Sequence, residues 1–242
     1  KKMTEYSKKI LTEGFSQFGV KASDEQISQL EKYMDFLLEQ NKVMNLTAIT
    51  EYEEVLQKHF LDSLLIAKSG EKLQGARVLD LGTGAGFPGI PLKIAFPDME
   101  IVLMDSLNKR IQFLNRCIEL LELKKITAVH ARAEEAGRKK EYRESFDFCV
   151  SRAVARLSSL SEFCIPFVKQ GGMFISYKAG DCEEECREAE NAIKLLGGRI
   201  VGKEETKLPD SDISRTLVMI KKEKNTPEKY PRGQGKPLKQ PL

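Results

Sequence analysis

The architecture of this chain follows from one segment, VLDLGTGAGFPG, which spans residues 78–89. An apolar strand ends in Asp80 and runs directly into a glycine-rich turn. Glycine adopts positive φ without a steric penalty and lets the backbone pass close to a ligand. The acid before the first glycine would repel a pyrophosphate, whereas it suits a cationic ligand that carries an amino acid group. The segment therefore predicts a strand followed by a ligand-binding turn.

The turn is open to three interpretations. It resembles the cofactor loop of the class I methyltransferases, which implies S-adenosylmethionine as the ligand. The candidate cofactor residues in it are Asp80, Gly82, Gly84, Gly86 and Phe87. The second interpretation is a dinucleotide loop, because residues 84–89 fit G-x-G-x-x-G and Asp105 follows about 20 residues later. Pro88 argues against it, since proline removes a backbone donor where a pyrophosphate needs one. The third is a turn with a purely structural role.

Composition limits the class of protein. The chain has 242 residues, of which 41% are hydrophobic, and this length suits one domain with an appendage or two small domains. No apolar run reaches the length of a membrane span, and the N-terminus lacks the apolar core of a signal peptide. Five cysteines without C-x-x-C spacing are typical of a reducing cytoplasm. We therefore expect a cytoplasmic protein that avoids membranes and holds no metal. We also expect a monomer, although composition does not determine the oligomeric state.

The positive charge is concentrated near the C-terminal end. Residues 221–242 hold seven Lys or Arg and two Glu, so this segment carries +5, while the whole chain carries +3. Such a Pro- and Gly-containing tail favours a flexible arm that meets phosphates. A solvated, disordered terminus is the alternative.

Helical periodicity dominates the first 70 residues. Ser23 with Gln26 and Thr50 with Glu53 each form a capping-box pattern before a run of apolar residues at helical spacing. An earlier helix carries Ile10, Leu11, Phe15 and Phe18.

Short apolar strands alternate with helical patterns from Arg77 onward, which indicates a mostly parallel, helix-covered sheet. The predicted strands are 77–81, 101–104, 126–130, 146–151, 173–178, 199–206 and 215–221, and the predicted helices are 88–96, 107–122, 158–169 and 181–196. Glycine pairs at 171–172 and 197–198 are predicted to end the last two helices. The short link 208–214 requires an antiparallel hairpin.

The predicted fold is therefore α/β, the doubly wound, mostly parallel seven-stranded sheet of a class I methyltransferase with one reversed strand. We divide the chain into an N-terminal helical segment (1–72), an S-adenosylmethionine-dependent methyltransferase domain (73–222) and a basic tail (223–242).

Candidate cofactor residues follow the second and third strands, at the edge where an open α/β sheet binds ligands. The Asp105 carboxylate can accept hydrogen bonds from ribose hydroxyls, or it caps the next helix. Ala133 is small enough for an adenine to lie against it. Glu134 can read that base, or it is an ordinary helix-capping acid.

The fourth strand ends in Ser151-Arg152, where groups that meet the methyl acceptor usually lie. The sequence has no Asn/Asp-Pro-Pro-aromatic element there, as enzymes that methylate exocyclic amines often have. A ring nitrogen such as guanine N7 has a lone pair and no proton to lose, so its methylation needs placement and charge support rather than a general base. Arg152 and Arg132 are the candidate catalytic residues, with surface ion pairs as the alternative. Lys178, at the end of the fifth strand, is a candidate substrate-binding residue. The alternative is an exposed lysine at the end of a strand.

Motifs along essentially the whole chain resemble the RsmG (GidB) family of 16S ribosomal RNA guanine-N7 methyltransferases. They are Asn41-Lys42-Val43-Met44-Asn45-Leu46-Thr47, His59-Phe60-Leu61-Asp62-Ser63, the glycine loop, residues 105–110, Arg132-Ala133-Glu134, Ser151-Arg152-Ala153-Val154-Ala155 and tail segments within 230–242. The resemblance implies methylation of a guanine in the 530 loop of the small ribosomal subunit. It implies cofactor contacts at Gly82, Phe87, Ala133, Glu134 and Arg152.

The resemblance also suggests residues on the RNA side of the pocket, with their roles unassigned. These candidates are Asn41, Lys42, His59, Asp62, Arg232 and Lys236. Two other function classes stay open from the residues alone. A small-molecule methyltransferase would turn over without RNA, and a non-enzymatic ribosome-associated module would bind RNA without releasing S-adenosylhomocysteine.

Overall fold

The N-terminal segment folds into helices, as predicted. The computed structural model describes residues 3–152 and 155–242. Helix α1 spans Glu5–Gln17, α2 spans Asp24–Met44 and the short α3 spans Tyr52–Val55, followed by a π-helical turn, Leu56–Leu61, and a 3₁₀ turn, Leu64–Ser69.

One of the two predicted capping boxes is present. Ser23 and Gln26 exchange both hydrogen bonds at the start of α2. The box of Thr50 with Glu53 is wrong, because the helix begins at the buried Tyr52 and places Glu51 at the N-cap, without a side-chain cap bond.

The predicted sheet is confirmed, with seven strands in the order β3-β2-β1-β4-β5-β7-β6. The strands are β1 Arg77–Leu81, β2 Glu100–Asp105, β3 Ile126–His130, β4 Phe146–Ser151, β5 Val168–Ala179, β6 Gly198–Lys207 and β7 Ser214–Lys222. Strand β7 runs antiparallel to both of its neighbours, whereas the pairs among β1 to β5 are parallel. The carboxyl ends of β1, β2, β3 and β4 therefore meet at one edge.

The helices between the strands are α4 Gly89–Ala95, α5 Asn108–Leu120, α6 Ala133–Ala136, α7 Leu157–Cys164 and α8 Glu183–Leu195. Gly197, at φ +94°, follows the end of α8 as predicted. The predicted end of α7 at 171–172 is wrong. Pro166 lies in a 3₁₀ turn directly after α7, and β5 begins at Val168 and continues through both glycines. A Cβ on Gly172 would lie 2.6 Å from the Asp147 carbonyl oxygen, so the glycine permits close strand pairing at the bulge between β4 and β5.

Two hydrophobic clusters cover the two faces of the sheet. On one face, Leu11 and Phe60 of the N-terminal segment pack in the same cluster as Ile90 and Leu114 of α4 and α5. The other face packs against α7 and α8. The N-terminal helices therefore share a core with the sheet. No helix among residues 3–152 and 155–242 has the length and apolar character needed to cross a membrane.

The basic tail is packed against the sheet domain, so the predicted flexible arm is wrong. Arg138 and Arg143 donate hydrogen bonds to backbone carbonyls between Thr226 and Pro231. Arg232 binds the buried carboxylate of Glu162 through two nitrogens, at 3.1 and 2.8 Å. A short helix, α9 (Lys236–Lys239), follows. Arg138 and Arg143 thus bind carbonyl oxygens of the tail. The net charge of the tail does not predict these hydrogen bonds, because backbone carbonyls are uncharged.

Candidate active site

The glycine loop after β1 has the backbone geometry that its sequence predicts. Gly82, Gly84 and Gly86 have φ angles of +69°, +60° and +103°. L-amino acids with a Cβ are disfavoured at such angles. A Cβ on Gly86 would also lie 2.6 Å from Ile90 Cδ1 and 2.8 Å from Tyr33 Oη. The loop therefore requires glycine on conformational and, at Gly86, also on steric grounds.

Asp80 lies beneath this loop rather than in a ligand cavity. Its side chain is fully buried, and Oδ2 accepts hydrogen bonds from Thr83 Oγ1 at 2.6 Å and from the Gly89 amide at 2.9 Å. Burial raises the pKa of Asp80 to about 7, while the bonds from Thr83 and Gly89 oppose the shift. The geometry therefore gives Asp80 the role of a brace between the loop and α4, instead of the predicted direct attraction for a cationic ligand.

This brace requires glycine at position 89. A Cβ there would lie 2.2 Å from Leu103 Cδ2 and 2.8 Å from Asp80 Oδ2. Gly89→Ala is expected to lower the free energy of unfolding by about 1–3 kcal/mol, the usual cost of overpacking a core. The matched control is Gly233→Ala, where no atom lies within 4 Å of the new Cβ. Urea denaturation that finds equal midpoints for the two variants would contradict the steric argument.

A cavity of about 370 Å³ opens at the carboxyl ends of β1 to β4. Five predicted site residues line it, namely Gly82, Asp105, Arg132, Ala133 and Glu134. Its volume is in the range of small-molecule sites. The sequence did not predict its apolar wall, which includes Leu160 and Phe163 of α7 and Leu238 of α9.

Three hydrogen bonds hold the Asp105 side chain in place at this cavity. Oδ2 accepts a hydrogen bond from the Gly84 amide at 3.0 Å and lies 3.4 Å from Arg110 Nη1. Oδ1 accepts from the Leu107 amide at 3.0 Å. Both interpretations from the sequence are therefore compatible with its position, because the carboxylate fixes the loop and the start of α5 while it lines the cavity.

Arg152 anchors a second cluster, the acceptor cluster, made of His59, Asp62, Phe87, Arg152 and Arg215. Arg152 lies 3.1 Å from Asp62 Oδ2 and 3.0 Å from His59 Nδ1, and its guanidinium carbon lies 5.4 Å from the centre of the Phe87 ring. Asp62 also accepts a hydrogen bond from Arg215 Nε at 2.9 Å. Burial raises the pKa of Asp62, and the guanidinium groups of Arg152 and Arg215 oppose that shift. Arg215 was not predicted as a site residue, because no motif in the sequence marks its position at the start of β7.

His59 is a half-buried, neutral group. Its ring stacks on Phe87 with centroids 4.4 Å apart, and Nε2 lies 2.7 Å from Thr47 Oγ1. Burial and the nearby Arg152 charge lower the pKa of His59 to about 3. His59 lies in the π-helical turn Leu56–Leu61, a conformation that often occurs at functional sites.

The neutral His59 makes stability depend on pH. The unfolded chain binds a proton there below about pH 6.5, whereas the folded chain does not until about pH 3. The free energy of unfolding is therefore fully retained above pH 6.5 and falls as the pH falls, by about 1.4 kcal/mol per pH unit. His59→Gln is expected to reduce the loss between pH 6.5 and 5 by about 2 kcal/mol, measured by urea denaturation. His130→Gln, at the exposed second histidine, is the control, and an equal effect of both variants would contradict the assignment.

The other predicted site residues lie partly beside the acceptor cluster and partly elsewhere on the protein. Asn41 Oδ1 accepts a hydrogen bond from the Thr47 amide at 2.8 Å and so supports the partner of His59, while Lys42 is exposed. Lys178 is buried in an ion pair with Glu185 at 2.7 Å, so it is not the free strand-end lysine of the alternative interpretation. Arg232 binds Glu162, and Lys236 is exposed on α9. Ala153 and Val154 of the fourth-strand motif lie outside the described residues.

Comparison with known proteins gives one consistent family. A family model described as rRNA small subunit methyltransferase G matches residues 26–212. The chain is 59% identical over 230 residues to Ribosomal RNA small subunit methyltransferase G of Lachnoclostridium phytofermentans, covering 95% of each chain. It is 50% identical over 236 residues to the protein of that name in Alkaliphilus metalliredigens, covering 98% of this chain and 99% of the relative.

Among solved structures, the chain is similar to a mutant of MtNAS. The TM-score is 0.55 at 15% identity, over 83% of this chain and 75% of that one. At this identity the likeness shows a shared fold alone.

Proposed function

Because the chain belongs to the rRNA small subunit methyltransferase G family, we propose that it transfers a methyl group from S-adenosylmethionine to N7 of a guanine in 16S ribosomal RNA, in the 530 loop. The observation that carries the choice of a ring nitrogen is the acceptor cluster. The pKa of His59 is lowered to about 3, which makes its imidazole a poor proton acceptor, and Arg152 lies 3.1 Å from the Asp62 carboxylate.

The residues around the cavity fit S-adenosylmethionine. Asp105 at the end of β2 provides a carboxylate for ribose hydroxyls. The small Ala133 and the apolar side chains of Leu160 and Phe163 provide a surface for adenine. The glycine loop brings backbone close to the cavity at Gly82. When bound, this cofactor supplies an electrophilic methyl group on a sulfonium.

The acceptor cluster fits a nucleophile that has no proton to lose. Attack by guanine N7 uses its in-plane lone pair, so a general base is unnecessary and alignment dominates the rate. A bare guanidinium beside N7 would oppose the positive charge that develops on the base. Here Asp62 pairs with both Arg152 and Arg215 and offsets part of their charge, so Arg152 can donate hydrogen bonds to O6 or phosphate with less electrostatic opposition.

We propose that Arg132, exposed at the rim of the cavity, contacts RNA or cofactor, and that Asn41 and His59 shape the RNA side of the pocket. The small ribosomal subunit or its 16S RNA is the partner, with Lys42 and Lys236 as phosphate contacts. We further propose that the protein acts as a monomer in the cytoplasm.

The test is to incubate the protein with small-subunit RNA and with assembled subunits from a strain that lacks it, using radiolabelled S-adenosylmethionine. Nuclease digestion and mass spectrometry then locate the label. A single 7-methylguanosine in the 530 loop supports the proposal. Label on another nucleotide refutes the assigned position, and turnover without RNA favours a small-molecule methyltransferase.

A further inference from the structure

The docked tail brings an apolar residue to the mouth of the cofactor cavity. Leu238, on α9, is 57% exposed, yet it lines the same cavity as Asp105 and Ala133. Gly235, at the N-cap of α9, lines it as well. An exposed leucine beside an apolar wall gains stabilisation when a ligand covers it.

The tail is held at this position by buried contacts. Arg232 binds Glu162, which is 1% exposed as a side chain, and it also donates to the Gln240 carbonyl at 2.7 Å. Ser159 of α7 donates to the Pro237 carbonyl at 2.7 Å. The contacts at Arg232 and Pro237 lie before Leu238 in the chain, and the contact at Gln240 lies after it. The position of Leu238 relative to α7 is therefore fixed before any ligand binds.

The charges of the tail alone do not explain this arrangement. RNA contacts require exposed lysines, which Lys236 and Lys239 provide, but they do not require an apolar side chain turned toward the cavity. Leu238 of the tail lines the cavity together with the apolar side chains of Leu160 and Phe163 from α7, so the tail contributes apolar surface to it.

We propose that the C-terminal segment Gly235–Leu238 is part of the cofactor-binding site, with Leu238 as an apolar contact for the cofactor. This inference rests on the proposed function, since it takes S-adenosylmethionine as the occupant of the cavity. It assigns to the tail a binding role on the cofactor side in addition to any contact with RNA.

The test measures the dissociation constant of S-adenosylhomocysteine by calorimetry with the full chain, without RNA. Leu238→Ala is expected to raise that constant about fivefold, the consequence of uncovering part of one leucine side chain. The matched control is Leu195→Ala, at a leucine that is 41% exposed on α8 and does not line the cavity. Thermal denaturation of both variants verifies that they are folded.

A second measurement follows hydrogen exchange in the same proteins. The amides of Leu238 and Lys239 donate to the Gly235 carbonyl, and the Gln240 amide donates to the Lys236 carbonyl. The exchange of these three amides is expected to slow when S-adenosylhomocysteine is added. Equal dissociation constants for wild type and Leu238→Ala would overturn the inference and leave the proposed function standing. Failure of the wild type itself to bind would instead overturn both.

Discussion

Arg152→Lys is expected to lower the single-turnover rate of methyl transfer to RNA by at least about a hundredfold. Lysine keeps the charge, but it cannot reach Asp62 and His59 at once with the planar fork that arginine provides. Although the resemblance implies a cofactor contact at Arg152, binding of S-adenosylhomocysteine is expected to change little, because Arg152 is not among the residues that line the cavity. Lysine is preferred to alanine as the test, since alanine would leave the buried Asp62 with Arg215 as its remaining ion-pair partner among the described residues.

The matched control for this prediction is Arg156→Lys, four residues further along the chain. Arg156 is exposed and pairs with Glu188 on α8, so its replacement is expected to leave the rate within twofold of wild type. Equal rates for Arg152→Lys and wild type would remove Arg152 from the reaction. Loss of cofactor binding together with the rate would move its role to the cofactor side.

Asp105→Ala is expected to raise the dissociation constant of S-adenosylhomocysteine by roughly a hundredfold, since each hydrogen bond to a charged group contributes about 1.5–3 kcal/mol. The carboxylate has two tasks. It fixes the amides of Gly84 and Leu107, and it is the proposed acceptor for ribose hydroxyls. Calorimetry on the full chain measures the effect.

Asp98→Ala controls for the loss of an aspartate elsewhere. Asp98 is exposed and accepts a hydrogen bond from Gln74 at 3.0 Å, away from the cavity. Its replacement is expected to leave cofactor binding unchanged. An Asp105→Ala variant that is folded and binds S-adenosylhomocysteine as tightly as wild type would refute the proposed cofactor site.

The sheet was predictable from the sequence because its strands are short, apolar and separated by helical patterns. The short link 208–214 was enough to predict that the last two strands pair antiparallel, since a parallel crossover needs many more residues. Asp105, which ends β2, and Ala133, which follows β3, both line the cavity as predicted, because strand ends converge in a parallel sheet.

Contacts between distant segments were not predictable in the same way. The sequence around Asp80 shows an acid before a glycine loop, but it does not show that the acid is buried and accepts hydrogen bonds from Thr83 and from the Gly89 amide at the start of α4. Similarly, nothing local to Arg215 indicates that it meets Asp62, which lies 153 residues earlier.

The tail illustrates the limit of arguments from composition. Its lysines and prolines are typical of an extended arm, yet Arg138 and Arg143 bind its backbone carbonyls and Glu162 binds its arginine. Those partners belong to the sheet domain, so charge counts within the tail do not register them.

The central claim is that N7 of guanine accepts the methyl group. The most direct test uses RNA of the 530-loop region in which 7-deazaguanosine replaces guanosine. In 7-deazaguanosine a C–H group stands in the place of N7. The account predicts that this RNA binds but accepts no label from radiolabelled S-adenosylmethionine, while the guanosine transcript is methylated. Equal labelling of the two transcripts would contradict the account, because the methyl group would then reside on another atom.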